Sequence, residues 1–298
     1  MFDSDKVTEI FYLVDEFCKE FDKNLEPSLL GNPPKRKPKM ILSEVITISI
    51  LFHKSNFRMF KHFYNKYVKI HMKSDFPQTV SYNRFVELQQ ASLLHLAMFV
   101  KMCLMGENTG ISFIDSTPIR VCSNKRISRN KVFSEFADTG KSTMGWFYGF
   151  KLHIVINDQG EIINFMITKA SVDDRTPLKK GNFLKDIFGK LYADKGYIGQ
   201  KLFESLFDKG IHIVTGIRTN MKNRLISMHD KIMLRKRSII ETINDQLKNI
   251  SQVEHTRHRS VTNFAGNLIA GIAAYCLQPK KPSISTFQFS DSKQLTLF

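Results

Sequence analysis

The chain predicts an α/β fold: a mixed sheet with flanking helices, preceded by a helical stretch of about a hundred residues. Two observations carry this reading. Apolar residues recur at spacings of three and four up to about residue 105, and from Gly110 the period shortens to that of strands. Three strand-like runs then follow one another before helix and strand begin to alternate, which is the order that builds a mixed sheet.

The elements follow in order. Over residues 4–23, Val7, Ile10, Phe11, Val14, Phe17 and Phe21 form one helical stripe. GNPPKRKPK (31–39) breaks it, with two adjacent prolines and four basic residues that make a stiff, solvated linker. Ser43 with Glu44 opens a second helical run to about Tyr67, and Ser81 in TVSYNRFVELQQ is placed to cap a third that continues to about Met105. ISFID, WFYGFKLHIVIN and EIINFMITKA read as strands, the last two joined through NDQG (157–160), whose Asx and Gly residues suit a hairpin. In the middle strand Lys151 and His153 share one face and Phe150, Leu152, Ile154 and Ile156 the other, the pattern of a half-buried antiparallel strand. TPLKKGNFLKDIF (176–188) reads as a helix, LYAD as a strand, GQKLFESLFDKG (199–210) as a helix and IHIVTGI (211–217) as a strand. Two long helices, 233–250 and 261–277, precede a polar, loosely held tail. The expected division is a helical segment 1–107, a sheet domain 108–280 and a tail 281–298.

Lys and Arg outnumber Asp and Glu 44 to 28, a net charge of +16 with a pI near 9.6, which points to an anionic partner, most often nucleic acid. Four cysteines without CxxC spacing read as reduced core residues of a cytoplasmic protein, with neither a disulfide frame nor a zinc site. The opening MFDSDKVTEI is acidic where a signal peptide is basic and then apolar. The most apolar runs, 92–105 and 264–277, are too short for a membrane span of about 20 residues, so no membrane partner is expected.

Three acids occupy positions suited to chemistry. Asp115 ends ISFID, Asp194 ends LYAD, and Glu241 lies inside RKRSIIETINDQLKN. If the two strands are neighbours, both aspartates reach one sheet edge, and a glutamate on a helix beside it completes an oxygen-rich cluster suited to Mg²⁺ or Mn²⁺. Two such ions about 4 Å apart serve in-line phosphoryl transfer. Each acid also has a plainer reading: Asp115 begins a turn-like Asp-Ser-Thr-Pro, Asp194 is a turn residue, and Glu241 is a solvated surface group. Arg237 and Lys248 fall on the helix face of Glu241 at the 3.6-residue period, either as an intrahelical ion pair or as a grip on phosphates. Arg218, Lys222, Arg224, Lys231, Arg235 and Lys236 extend the positive charge upstream, which favours a polyanionic substrate. Asp173 and Asp174 rank second as metal ligands, because an acidic pair before a helix also stabilises its N-terminus. His153 reads as a satisfied sheet histidine and Trp146 as a packing anchor rather than a stacking platform. HTRHR (255–259) reads equally as a DNA-backbone contact or a solvated loop.

The ordered set FIDSTPIRVC, GWFYGFKLHIVIN, ITKASVDDRTPL, YADKGYIG and RSIIETINDQLKN resembles the DDE transposases of bacterial insertion sequences and is most similar to insertion-sequence family 982. That family is related to the group with a Tyr-Arg-Glu-Lys signature. Arg237, Glu241 and Lys248 match the signature's spacing, Leu234 stands where its Tyr is expected, and residues 217–234 are too few for the extra β-domain of some relatives. The resemblance implies a ribonuclease-H-like core with a five-stranded mixed sheet, and Asp115, Asp194 and Glu241 as catalytic triad and ligands of two divalent ions, Mg²⁺ or Mn²⁺. It further implies DNA contacts from Arg237, Lys248, Arg235, Lys236, Arg218 and Lys222. The implied activity is cleavage at the element's terminal inverted repeats and strand transfer into target DNA, by a homodimer or higher oligomer in the nucleoid. The rival readings are another ribonuclease-H-like nuclease or resolvase, and a non-catalytic DNA-binding derivative.

Overall fold

A computed structural model describes residues 2–25, 38–179, 182–218, 221, 225–254 and 258–284. The linker GNPPKRKPK up to residue 37, Lys222, Arg224, residues 255–257 of HTRHR and the tail from residue 285 lie outside them.

The helical stretch opens with α1 (Ser4–Asn24), capped by Asp3, whose carboxylate accepts from the Asp5 amide. It buries Val7, Ile10, Val14 and Phe17, the expected stripe. α2 (Leu42–Lys54) stops short of Tyr67 because the Ser55 amide and hydroxyl both bond back to the Phe52 carbonyl, closing the last turn. α3 (60–71) resumes the pattern and widens into a π-helix over Phe63–Val68. The Ser81 hydroxyl accepts from the Arg84 amide and starts α4 (Tyr82–Ala91), which continues through α5 (Leu93–Phe99) into a π turn at Val100–Leu104.

Among the described residues six strands fill five positions across one sheet: β1 (Ile111–Cys122), β2 (Asp138–Ser142), β3 (Gly145–Asn157), β4 (Ile162–Lys169), β5 (Gly189–Ala193) and β6 (Ile211–Thr215). β1 pairs antiparallel with β3 and parallel with β5, and β5 parallel with β6. β2 and β4 share the far edge of β3, one after the other, over residues 145–149 and 150–156. The sheet is therefore mixed, as expected. The middle strand is not half-buried: Leu152, Ile154 and Ile156 face one core and Val155 a second, with His153 also fully buried. Both faces are covered because helices close both sides.

α6 (Thr176–Lys179) is one turn, where a helix to residue 188 was expected. Phe183, Leu184 and Ile187 are buried as their spacing demands, but turns place them. α7 (Gln200–Phe207) and β6 match expectation. The segment expected as one helix over 233–250 is α8 (Met228–Lys236), α9 (Ser238–Asp245) and a π turn over Gln246–Ile250. α10 (Val261–Cys276) packs back on α2, α4 and α5, so the last helix closes the first helices.

Candidate active site

β5 pairs with β1 only from Ile111 to Phe113, and β1 then runs on past Pro118 without it. Asp115 therefore sits inside a strand, not at its end, with one edge freed by the loss of β5; the turn reading of Asp-Ser-Thr-Pro does not hold. Proline is tolerated there because no β5 residue lies opposite. Carrying the Phe113–Tyr192 register forward two residues sets Asp194 level with Asp115, and level residues on parallel neighbours project to one face. Beneath them the rings of Phe113 and Tyr192 stack at 5.4 Å, both fully buried, which fixes the two strands against each other. Asp194 does end its strand: its carboxylate accepts from the Lys195 amide at 2.6 Å and caps a short 3₁₀ turn.

The third acid arrives on α9. Ser227 caps α8 through the Asp230 amide, and the Asp230 carboxylate reaches back to β5, accepting from Lys190 Nζ and the Tyr192 hydroxyl, each at 2.8 Å. Burial alone would raise the Asp230 pKa, but the bonds from Lys190, Ser227 and Tyr192 hold it well below the usual carboxylate range. α8 is thereby fastened to the strand that carries Asp194. α9 then buries Ile239, Ile240 and Ile243 and packs on β1. Asn244 on α9 donates from Nδ2 to Asp115 Oδ2 at 3.3 Å, and Glu241 lies three residues before it on the same face.

The three acids meet electrostatically at Asp115. Its carboxyl is pushed up to about 6, first by burial; Arg237 and the Ser116 amide pull it down, while Asp194 and Glu241 push it up. Arg237 Nη2 lies 3.0 Å from Glu241 Oε1, the expected intrahelical pair, with Arg237 mostly covered and Glu241 61% exposed. Among the described residues no three His, Cys, Asp or Glu side chains are gathered closely enough to hold one metal ion together. Glu241 is turned to Arg237, and Asp115 and Asp194 stand side by side.

Behind the acids lies Tyr197, buried, its hydroxyl raised well above the usual value by burial and by Asp115, Asp174 and Asp194. Asp174 accepts from Ser116 Oγ at 2.9 Å and from Lys151 Nζ at 3.0 Å, and Asp173 is clasped by the Arg175 guanidinium. Both second-rank acids are thus satisfied by cations of the chain itself. His153 Nε2 bonds Thr168 Oγ1 at 2.8 Å while its Nδ1 is buried with no partner among the described residues, so the ring is only half satisfied, and burial lowers its pKa to about 4.

The proposed basic contacts divide. Arg235 and Arg218 are exposed, Arg218 donating to the Lys195 carbonyl at 3.0 Å beside Asp194, and Lys236 is half-buried. A π turn spans Gln246–Ile250, and within it Lys248 lies 3.6 Å from Glu254. Trp146, expected to pack, is 60% exposed. The sequence does not mark Asn244, Tyr197 or Ser116 as site residues. Asn244 had a signal, its three-residue offset from Glu241 on one helix; Tyr197 and Ser116 had none without the register.

A sheet in this order, with aspartates level on two adjacent parallel strands and a helix-borne glutamate beside them, defines the ribonuclease-H-like class. Residues 105–261 match the family model described as the transposase DDE domain, and the chain belongs to that family. Among solved structures it matches the piggyBac transposase synaptic complex with hairpin DNA at 12% identity and a TM-score of 0.46, covering 90% of this chain and 72% of that one. Among curated proteins none matches. Among the described residues no helix is long and apolar enough to cross a membrane.

Proposed function

We propose that the protein is a DNA transposase of a bacterial insertion sequence, akin to insertion-sequence family 982, that cleaves at the ends of its element and joins them to target DNA. The observation that carries this reading is the register that sets Asp194 level with Asp115 at the open edge of the sheet, with the helix of Glu241 bonded to Asp115 through Asn244. The family match over residues 105–261 supports it.

The chemistry of the donors suits divalent cations, although Glu241 must leave Arg237 before the three acids can share them. A carboxylate whose pKa is raised first by burial and then by two like-charged neighbours is a destabilised anion, and hard oxygen donors of this kind suit Mg²⁺ or Mn²⁺. Asp115, Asp194 and Glu241 would hold them, as two ions. When bound they activate the attacking oxygen and stabilise the leaving one. The chain's own groups do the rest. Asn244 orients the Asp115 carboxylate, and Arg237 neutralises Glu241 and Asp115 in the absence of other cations and is placed to grip a phosphate once Glu241 turns away. In the first step a water oxygen bonds to phosphorus and the bond to the 3′-oxygen breaks, leaving a 3′-OH. In the second that hydroxyl attacks a target phosphate, forming one P–O bond as another breaks.

The helical segment 1–107, closed by α10, would recognise the terminal repeats, and 108–280 would form the catalytic domain. The net charge of +16 supports a DNA partner, and assembly as a homodimer or higher oligomer on DNA in the cytoplasm completes the reading. Strand transfer with the element's own ends tests it. Asp194→Asn should keep DNA binding and lose cleavage by about a thousand-fold or more; full activity in that variant sinks the assignment.

A further inference from the structure

Between β1 and β3 the chain makes an arm that takes no part in the acid cluster. A 3₁₀ turn at Asn124–Arg129 leads through residues 130–137 into the β2–β3 hairpin, whose tip is Ser142 to Gly145. The arm is built rather than loose. Asn124 Nδ2 donates to the Trp146 carbonyl at 2.9 Å, Ser142 Oγ to the Gly145 carbonyl at 3.1 Å, and the Tyr148 hydroxyl to the Phe133 carbonyl at 3.1 Å. Gly145 supplies the positive φ, +101°, that turns the hairpin.

On this frame Trp146 stands 60% exposed and Met144 83% exposed. A tryptophan held by its backbone while its ring faces water leaves a large π-surface uncovered. Lys141 is its cross-strand partner, with Nζ 5.8 Å from the ring centroid. Over residues 124–146 five basic residues stand against two acids. Lys125, Arg126, Arg129 and Lys141 are exposed, and none of these four forms an ion pair among the described residues. From Ile154, which is paired with Asp115, β3 runs eight residues to Trp146, roughly 26 Å at the rise of a strand. That is about seven or eight nucleotide steps of a duplex strand.

We propose that this arm is a second nucleic-acid contact, in which the Trp146 ring stacks on an unpaired or splayed base while Lys141 and the 3₁₀-turn cations hold the adjoining phosphates. An exposed aromatic ring amid unpaired cations is the combination that binds single strands, because every base has a π-face and every link a charge. The inference rests on the DNA reading above and adds the substrate feature that reading lacks: a non-duplex segment several steps from the reacting bond.

Trp146 is the only tryptophan of the chain, so its emission reports the site directly. The full-length protein is titrated with fluorescein-labelled oligonucleotides, a blunt duplex and the same duplex with an eight-nucleotide single-stranded extension, following anisotropy and tryptophan emission together. The extended oligonucleotide should quench Trp146 and the blunt duplex should not. Trp146→Ala should weaken binding of the extended form about five- to a hundred-fold and leave the duplex unchanged. Lys141→Ala should flatten its salt dependence by about 0.7 in log–log slope. Trp146→Phe, which keeps a stacking ring, should restore most of the affinity and guards against a folding defect. If anisotropy rises without quenching and Trp146→Ala binds as wild type, the stacking site is wrong while DNA binding stands. If emission changes with protein concentration alone and not with DNA, a second copy covers the ring and the proposal fails. If neither oligonucleotide binds, the transposase reading falls with it.

Discussion

Asp115 is a carboxylate whose proton is hard to remove, and the sign of its effect on stability follows. Its pKa rises from 3.8 to about 6 on folding, so its neutral form is favoured in the native state, and stability is lost as pH rises from the first value through the second. The difference corresponds to about 3 kcal/mol at the upper end, an order of magnitude only, since Arg237 and solvent share the charge. Asp115→Asn should therefore be more stable than wild type by about 2 kcal/mol in urea unfolding at pH 7.5, and the gap should close near pH 4. A variant less stable than wild type at pH 7.5 would mean that the ionised carboxylate is well accommodated by its neighbours. The sequence marked this residue by its place in an apolar run. It could not mark Tyr197, whose proximity to Asp115 depends on which strands and helices adjoin, and its only signal for Asn244 was the offset from Glu241.

At the scale of elements, α8 decides where Glu241 stands. Its anchor is Asp230, 12% exposed, bonded to Lys190 and Tyr192 of the strand that ends in Asp194. Removing that carboxylate leaves a lysine and a buried tyrosine hydroxyl short of their partner. Asp230→Ala should cost about 2–3 kcal/mol in denaturant unfolding. It should also lower cleavage more than it lowers DNA binding, because Glu241 loses its support; equal losses would show that α9 is held by its own packing. Helix and strand types were legible from period alone in most places, but lengths were not. Phe183, Leu184 and Ile187 have the spacing of a helix and are buried by turns, because periodicity records which side chains go inward and not how the backbone delivers them. The π turn at Gln246–Ile250 is the same lesson: a helical period was legible there, but not the wider turn in which Lys248 lies beside Glu254.

For the whole molecule, the order of elements was enough to read a mixed sheet, since it depends on local pattern. The placing of Asp194 level with Asp115, and of α9 on β1, was not readable, because it needs the parallel register and the helix packing. The same limit hid the exposure of Trp146, whose neighbours in sequence are strand residues while its ring faces water. Asp115, Asp194 and Glu241 are proposed to act as one unit. Cleavage of a labelled duplex carrying the element's end, measured for Asp115→Asn, Glu241→Gln and the double variant at saturating Mn²⁺, tests it most directly. Residues that work as a unit lose their effect together, so each single variant should fall by about a thousand-fold or more and the double variant no further. Losses that multiply in the double variant, or wild-type cleavage in either single one, would contradict it.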